Sequence, residues 1–266
     1  MTTDHLTHDR PVGPVRHAAS KVPEVTVYFW IIKVLTTGMG ETASDFVAHR
    51  LGPIPAVGLG GLALVAALAV QFAARRYVAW IYWTTIVVIS VFGTMAADVL
   101  HVGLGVPYAL STPFFMAALA VVFALWHRSE RTLSIHSIHT RRRETFYWAA
   151  VLATFALGTA AGDLTATIGL GCLGSAVLYA AAIAVPALAH RRGGLNAVTA
   201  FWSAYVLTRP LGASVADWMA VSHQRGGLNG GLGPVTLSWT VAIIGFVGYL
   251  AASRKDLQHD VIPAQV

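Results

Sequence analysis

The stretch WIIKVLTTGMGETASD, residues 30–45, decides the architecture, because its frame returns three more times at identical spacing. Trp83 to Asp98, Trp148 to Asp163 and Trp202 to Asp217 each read Trp, nine residues, Gly, four residues, Asp. The glycines are Gly40, Gly93, Gly158 and Gly212, and an aromatic residue (Phe29, Tyr82, Tyr147 or Phe201) precedes every Trp. A Leu-Gly pair follows each Asp, at Leu51, Leu104, Leu170 and, after a longer loop, Leu232. Four matches at three fixed positions mark a fourfold internal repeat, and a repeat sets the fold before any propensity is consulted.

Composition supplies the solvent. The 266 residues are 56% hydrophobic and only 11% charged, less than half the charge of an average soluble domain, about 25%. Apolar runs at 25–48, 54–74, 78–100, 106–126, 146–168, 170–189, 197–221 and 235–253 are each near the ~20 residues a helix needs to cross a hydrocarbon core. None alternates polar and apolar residues as a barrel strand would. The expected fold is an all-α integral membrane protein of eight transmembrane helices, four parallel two-helix repeats, arranged either pseudo-fourfold or as two pseudo-symmetric four-helix halves. Its parts would be a flexible cytoplasmic tail (1–24), repeats one and two (25–126), a cytoplasmic linker (127–145), repeats three and four (146–253) and a second cytoplasmic tail (254–266).

Orientation follows from the basic residues. Arg10, Arg16, Lys21, Arg75, Arg76, Arg128, Arg131, Arg141 to Arg143, Arg191, Arg192, Arg254 and Lys255 fall on one side, fourteen of the eighteen Lys and Arg residues. The positive-inside rule makes that side, and both termini, cytoplasmic. These clusters report topology, not nucleic-acid binding, since they punctuate apolar runs instead of lining one soluble face. The lone Cys172 excludes an internal disulfide.

Five of the twelve acidic residues lie in the repeat frame: Glu41, Asp45, Asp98, Asp163 and Asp217. An intramembrane carboxylate costs about 2.5–3.5 kcal/mol on insertion scales, so a chain that repeats one four times has a use for it. The +11 positions, counted from each Trp, are Glu41, Thr94, Thr159 and Ala213, on the face that carries Trp and Asp. The expected role of the five acids is cation binding or proton relay. Asp45 ranks first because Glu41 lies one turn away on the same face. His49 and His101, four and three residues after their aspartates, are weaker candidate metal ligands. Lys33 and Arg209 break the repeat and are candidate counter-ions, Arg209 for Asp217 or Asp163; Lys33 is also long enough to snorkel to the cytoplasmic surface. No covalent cofactor is expected, and a divalent metal ion is the one bound group this set could hold.

The four tandem two-helix repeats, with KVPEVTVYFWIIKVL and GETASDF in the first, resemble a bacterial membrane-protein family defined by a repeat of unknown function. The resemblance covers about residues 22–255 and implies eight spans in a bacterial inner membrane, and no activity. Ala213 and the longer outer loop of repeat four depart from the repeat pattern and imply that the four repeats are not equivalent. Three functions are consistent with the residues: a cation transporter, for a divalent metal or coupled to protons; a pseudo-fourfold cation channel; and a non-transporting scaffold or sensor. No nucleotide-binding loop or catalytic constellation points to an enzyme. The expected partners are the lipid bilayer and a small cation, with no nucleic acid; the oligomeric state is not encoded in these features.

Overall fold

The computed structural model describes residues 20–257, and the reading of residues 1–19 and 258–266 as tails lies outside them. The described chain is all-helical, without a strand. It comprises α1 (Val27–Leu51), α2 (Pro53–Ala73), α3 (Ala79–Asp98), α4 (Tyr108–Glu130), α5 (Arg141–Thr165), α6 (Gly171–Arg191), α7 (Ala197–Ala220) and α8 (Leu232–Ser253). A π-helical turn, Val99–Gly103, extends α3, and another, Ala166–Leu170, joins α5 to α6. There the chain turns at Gly169, where φ is +113°, a conformation open to glycine and costly for other residues.

Local chemistry starts the helices. At the Trp end, the side chains of Thr26, Thr140 and Asn196 accept hydrogen bonds from the backbone N–H of Phe29, Arg143 and Thr199, capping α1, α5 and α7. Pro53 sits in the first turn of α2, where its missing N–H costs nothing, and Gly52 turns the chain into it at φ +83°. Five helical stretches are long and apolar enough to cross a membrane: Pro53–Ala73, Ala79–Gly103, Tyr108–Glu130, the continuous run Arg141–Arg191, and Leu232–Ser253. Helices α1 and α7 are long enough but carry the polar and charged side chains of the frame.

The odd helices close into a ring, α1 on α3, α3 on α5, α5 on α7 and α7 on α1, with the even helices outside it. Each even helix packs chiefly on the odd helix of the following repeat: α2 on α3, α4 on α5, α6 on α7, and α8 back on α1. Of the two arrangements the sequence leaves open, this is the pseudo-fourfold one. Even helices show large apolar side chains outward, among them Leu62, Val65, Phe114, Val121, Val177 and Ile244.

The repeated glycine now has a physical cause. A Cβ on Gly40 would collide with Ser90, one on Gly93 with Phe155, one on Gly158 with Arg209 and one on Gly212 with Thr37. Each partner is the +7 residue of the following repeat, so the four glycines are notches that interlock neighbouring odd helices around a closed ring. Small residues at such crossings let backbones approach where apolar burial alone supplies little drive.

The Trp end of the ring is capped. Residues 20–24 thread across it: Lys21 N–H donates to Ile138 O at 3.2 Å, Glu24 N–H to Asp256 O at 2.9 Å and Tyr77 N–H to Ser20 O at 3.1 Å. Lys21 is buried and paired with Glu144 at 2.6 Å, and Gln71 donates to the other Glu144 oxygen at 3.1 Å. The flexible tail expected over 1–24 therefore does not reach residue 24. Nor is the linker between α4 and α5 loose: Ile135 and Ile138 are buried, Trp202 donates to Leu133 O at 2.9 Å, and Arg143 holds Glu130 at 2.8 Å. His136 and His139 lie exposed on this linker.

Candidate functional site

Counting from Trp, the positions +3, +7, +11 and +15 recur about every turn on the inward face of each odd helix and stack four layers along the ring axis. The +3 layer (Lys33, Ile86, Val151, Tyr205), the +7 layer (Thr37, Ser90, Phe155, Arg209) and the +11 layer (Glu41, Thr94, Thr159, Ala213) are buried. The four aspartates at +15 are only half-buried. The axis is thus packed from the Trp end up to +11 and loosens at the aspartates.

The polar centre is built around Arg209. Its Nη2 donates to Glu41 Oε2 at 2.8 Å, to Thr159 Oγ1 at 2.7 Å and to Thr94 Oγ1, while Nη1 donates to Thr37 O at 3.2 Å. Thr94 and Thr159 hydroxyls also lie 3.3 and 3.4 Å from Glu41 Oε2. Every repeat contributes: one carboxylate, two hydroxyls and one guanidinium. Arg209 stands one turn before Ala213, and the missing +11 side chain of repeat four leaves space for the guanidinium on the axis. The partner of Arg209 is therefore Glu41, where the sequence suggested Asp217 or Asp163. Pro210, beside it, lies inside α7.

Around this pair the acids gather unequally. Among the described residues, Glu41, Asp163 and Asp217 each bring a carboxylate oxygen within 4.8 Å of the other two. Asp45, ranked first from the sequence for its i, i+4 relation to Glu41, lies outside that trio, and so does Asp98. Helical spacing on α1 cannot outweigh convergence from α5 and α7 across the ring. The histidines are not drawn in either. His49 Nδ1–H donates to its own helix at Asp45 O (2.7 Å), and His101 Nδ1–H donates to Val106 O (3.0 Å) with its ring stacked on Tyr108. Both close helix ends, so the expected carboxylate–imidazole pairs do not form.

Lys33 is neither snorkelled nor salt-bridged. It is fully buried, its Nζ has no hydrogen-bond partner, and it sits 4.0 Å from the centre of the Phe155 ring and 4.2 Å from that of Tyr205. Each ring face offers a desolvated ammonium about 2 kcal/mol of attraction in place of the hydration it has lost. The Arg209 guanidinium lies 5.3 Å from the same Phe155 ring, which thus has a buried cation near it from each of two layers. Below, Tyr82 and Tyr147 share a hydrogen bond between hydroxyls, and the buried Tyr205 hydroxyl has no partner.

The threonines on Arg209 were missed from the sequence, although a +11 position reading Glu, Thr, Thr, Ala carried the signal. The base cluster of Lys21, Gln71 and Glu144 left no such trace, since its members are 50 or more residues apart. The family model described as Repeat of Unknown Function (DUF347) matches residues 28–77, 81–132, 146–193 and 200–256, one copy per repeat. No curated protein and no solved structure matches the chain.

Proposed function

Since the chain belongs to the family defined by this repeat of unknown function, which carries no activity with it, we propose from the geometry that it is a membrane cation transporter. In this reading eight helical segments cross a bacterial inner membrane, with the Trp end and both termini in the cytoplasm. Glu41, Asp163 and Asp217 bind a divalent metal ion or another small cation, and Asp45 and Asp98 line the approach from the opposite side. One observation carries it: three carboxylates from three repeats meet within 4.8 Å inside the ring of odd helices, beside a single guanidinium. Like charges so placed repel unless protons or a cation join them. Oxygen donors alone suit a hard or borderline cation.

The packed axis favours a carrier over an open channel. Below the acids Phe155, Lys33, Ile86, Val151 and Tyr205 fill the ring, so passage needs a rearrangement of the odd helices. The test is uptake of Mn²⁺ into proteoliposomes by wild type and by Asp163→Asn and Asp217→Asn. Wild-type uptake lost in both variants, at unchanged thermal stability, supports the site. Variants that lose stability but move Mn²⁺ at wild-type rates would make the cluster a scaffold's helix lock.

A further inference from the structure

Outside the acid cluster, the one fully buried charged side chain without any polar partner is Lys33, among the described residues. Its surroundings are unlike those of a structural lysine. Buried ammonium groups that hold helices together reach a carboxylate or a carbonyl; this one meets only the faces of Phe155 and Tyr205. Those faces attract a charge but accept no proton and fix no N–H direction. Burial and the Arg209 charge nearby favour the amine, while the two ring faces favour the ammonium, so Nζ has a reason to hold a proton and a reason to release it.

We propose that Lys33 is a proton-binding site distinct from the carboxylates, served from the Trp end through the hydroxyls of Tyr205, Tyr147 and Tyr82. The inference rests on the cation-transport reading for its purpose, not for its chemistry. A proton adds to the Nζ lone pair to give the ammonium, and leaves by the same bond. Each hydroxyl on the way takes a proton on its oxygen as it gives up its own, so no charge is left behind. Helical side chains lean toward the N-terminus of their helix, so Tyr205 on α7 leans toward the layer where Tyr82 and Tyr147 are already hydrogen-bonded. The Tyr205 hydroxyl, buried and unpartnered, is the free link between them and the amine its ring supports.

The groups facing Lys33 define what its proton does. From α7 they are Tyr205 and Arg209; Tyr147 of α5 and Tyr82 of α3 are bonded to each other one turn nearer the Trp end, and Glu41 lies two turns along α1 itself. Helices α2 and α8, on the outer side of α1, carry no charged residue in Pro53–Ala73 or Leu232–Ser253. A proton on Lys33 puts a second positive charge near Arg209, beside the Phe155 ring that both approach, and opposes a further cation at the acids above. Loss of that proton favours the cation. Binding at either place weakens binding at the other by the same factor, which is the linkage an exchanger of cation for proton needs.

The chain has three lysines, Lys21, Lys33 and Lys255, so protein labelled with ¹⁵N at lysine Nζ, in lipid nanodiscs, gives a spectrum simple enough to assign with Lys33→Met. The Lys33 signal should move between the ammonium and amine positions as pH is changed over the range in which the protein stays folded. Tyr205→Phe should slow that exchange while leaving both end states. In proteoliposomes with a Mn²⁺ gradient and an internal pH dye, wild type should move protons against Mn²⁺. Lys33→Met and Lys33→Arg should lose the proton movement, the latter because guanidinium keeps its proton throughout. A Lys33 signal fixed in one state at every pH, or proton counterflow retained in Lys33→Met, overturns the proposal. Absence of Mn²⁺ movement in wild type with a titrating Lys33 removes the cation reading alone and leaves the proton site standing.

Discussion

Removing Arg209 tests the axial site most directly. In Arg209→Met the Cβ and Cγ that fill the Gly158 notch stay in place, so ring packing is kept while the guanidinium goes. Glu41, 4% exposed, then loses the only cation within 4 Å among the described residues, and Thr37, Thr94 and Thr159 lose a shared donor. Breaking one side of a buried pair costs about 3–5 kcal/mol, whereas replacing both sides with uncharged groups is often nearly neutral. Glu41→Gln alone strands the guanidinium but leaves it two hydroxyls and a carbonyl, so its expected cost is at the low end of that range. The double variant, which leaves neither charge buried alone, should cost less than either single and so recover at least about 3 kcal/mol relative to their sum, roughly a hundredfold or more in the unfolding equilibrium. Unfolding by SDS in mixed micelles, followed by the fluorescence of the eight tryptophans, measures all four corners of the cycle. Singles that each cost under about 0.5 kcal/mol and add would refute the argument, because they would mean that Arg209 and Glu41 are solvated separately.

Gly158→Ala should destabilise by about 1–3 kcal/mol, since its Cβ must displace Arg209, whereas Gly58→Ala, with open space around its Cβ, should be neutral or gain up to about 1 kcal/mol of helix propensity; thermal unfolding of the purified pair decides. Burial, then the Asp256 carboxylate that accepts its hydrogen bond, push the Tyr77 hydroxyl above the usual phenol range. A raised acid stabilises the fold fully below the unfolded value and loses that contribution at higher pH, so the capped end should loosen progressively above about pH 10, measured as proteolysis near residues 20–24, and less so in Tyr77→Phe. For orientation, Ser134→Cys should react with an impermeant maleimide only after lysis and Ser222→Cys in intact cells; labelling of Ser134→Cys from outside reverses the topology.

The elements that the sequence made legible are those whose cause is periodic. Trp, Gly and Asp recur because every repeat meets the same neighbour at the same height, so the frame and the parallel arrangement were readable from Trp30 to Asp45 onward. What stayed hidden depends on distance across the ring. Arg209 meets Glu41, 168 residues away, and no spacing within one helix could select Glu41 over Asp217. His49 and His101 misled for the converse reason: near neighbours in sequence, they are satisfied by the carbonyls of their own helix ends. Lys21 was counted with the solvated cytoplasmic charges because nothing local shows that Glu144 would be buried beside it.

The same geometry accounts for where the repeats diverge. Positions that touch a neighbouring helix can be alike in all four repeats, because each has a neighbour on both sides. Positions that reach the axis cannot, because four side chains converge on one small volume. Four glutamates at +11 would set four carboxylates against each other, and four arginines at +7 would not fit. One guanidinium, one carboxylate, two hydroxyls and a methyl satisfy both charge and volume. The two cations then fall in successive layers, both beside the Phe155 ring. A ring of strictly identical repeats could hold the notches and the aspartates but not this centre, so the departures at Lys33, Phe155, Arg209 and Ala213 mark the axis as surely as the repeats mark the ring.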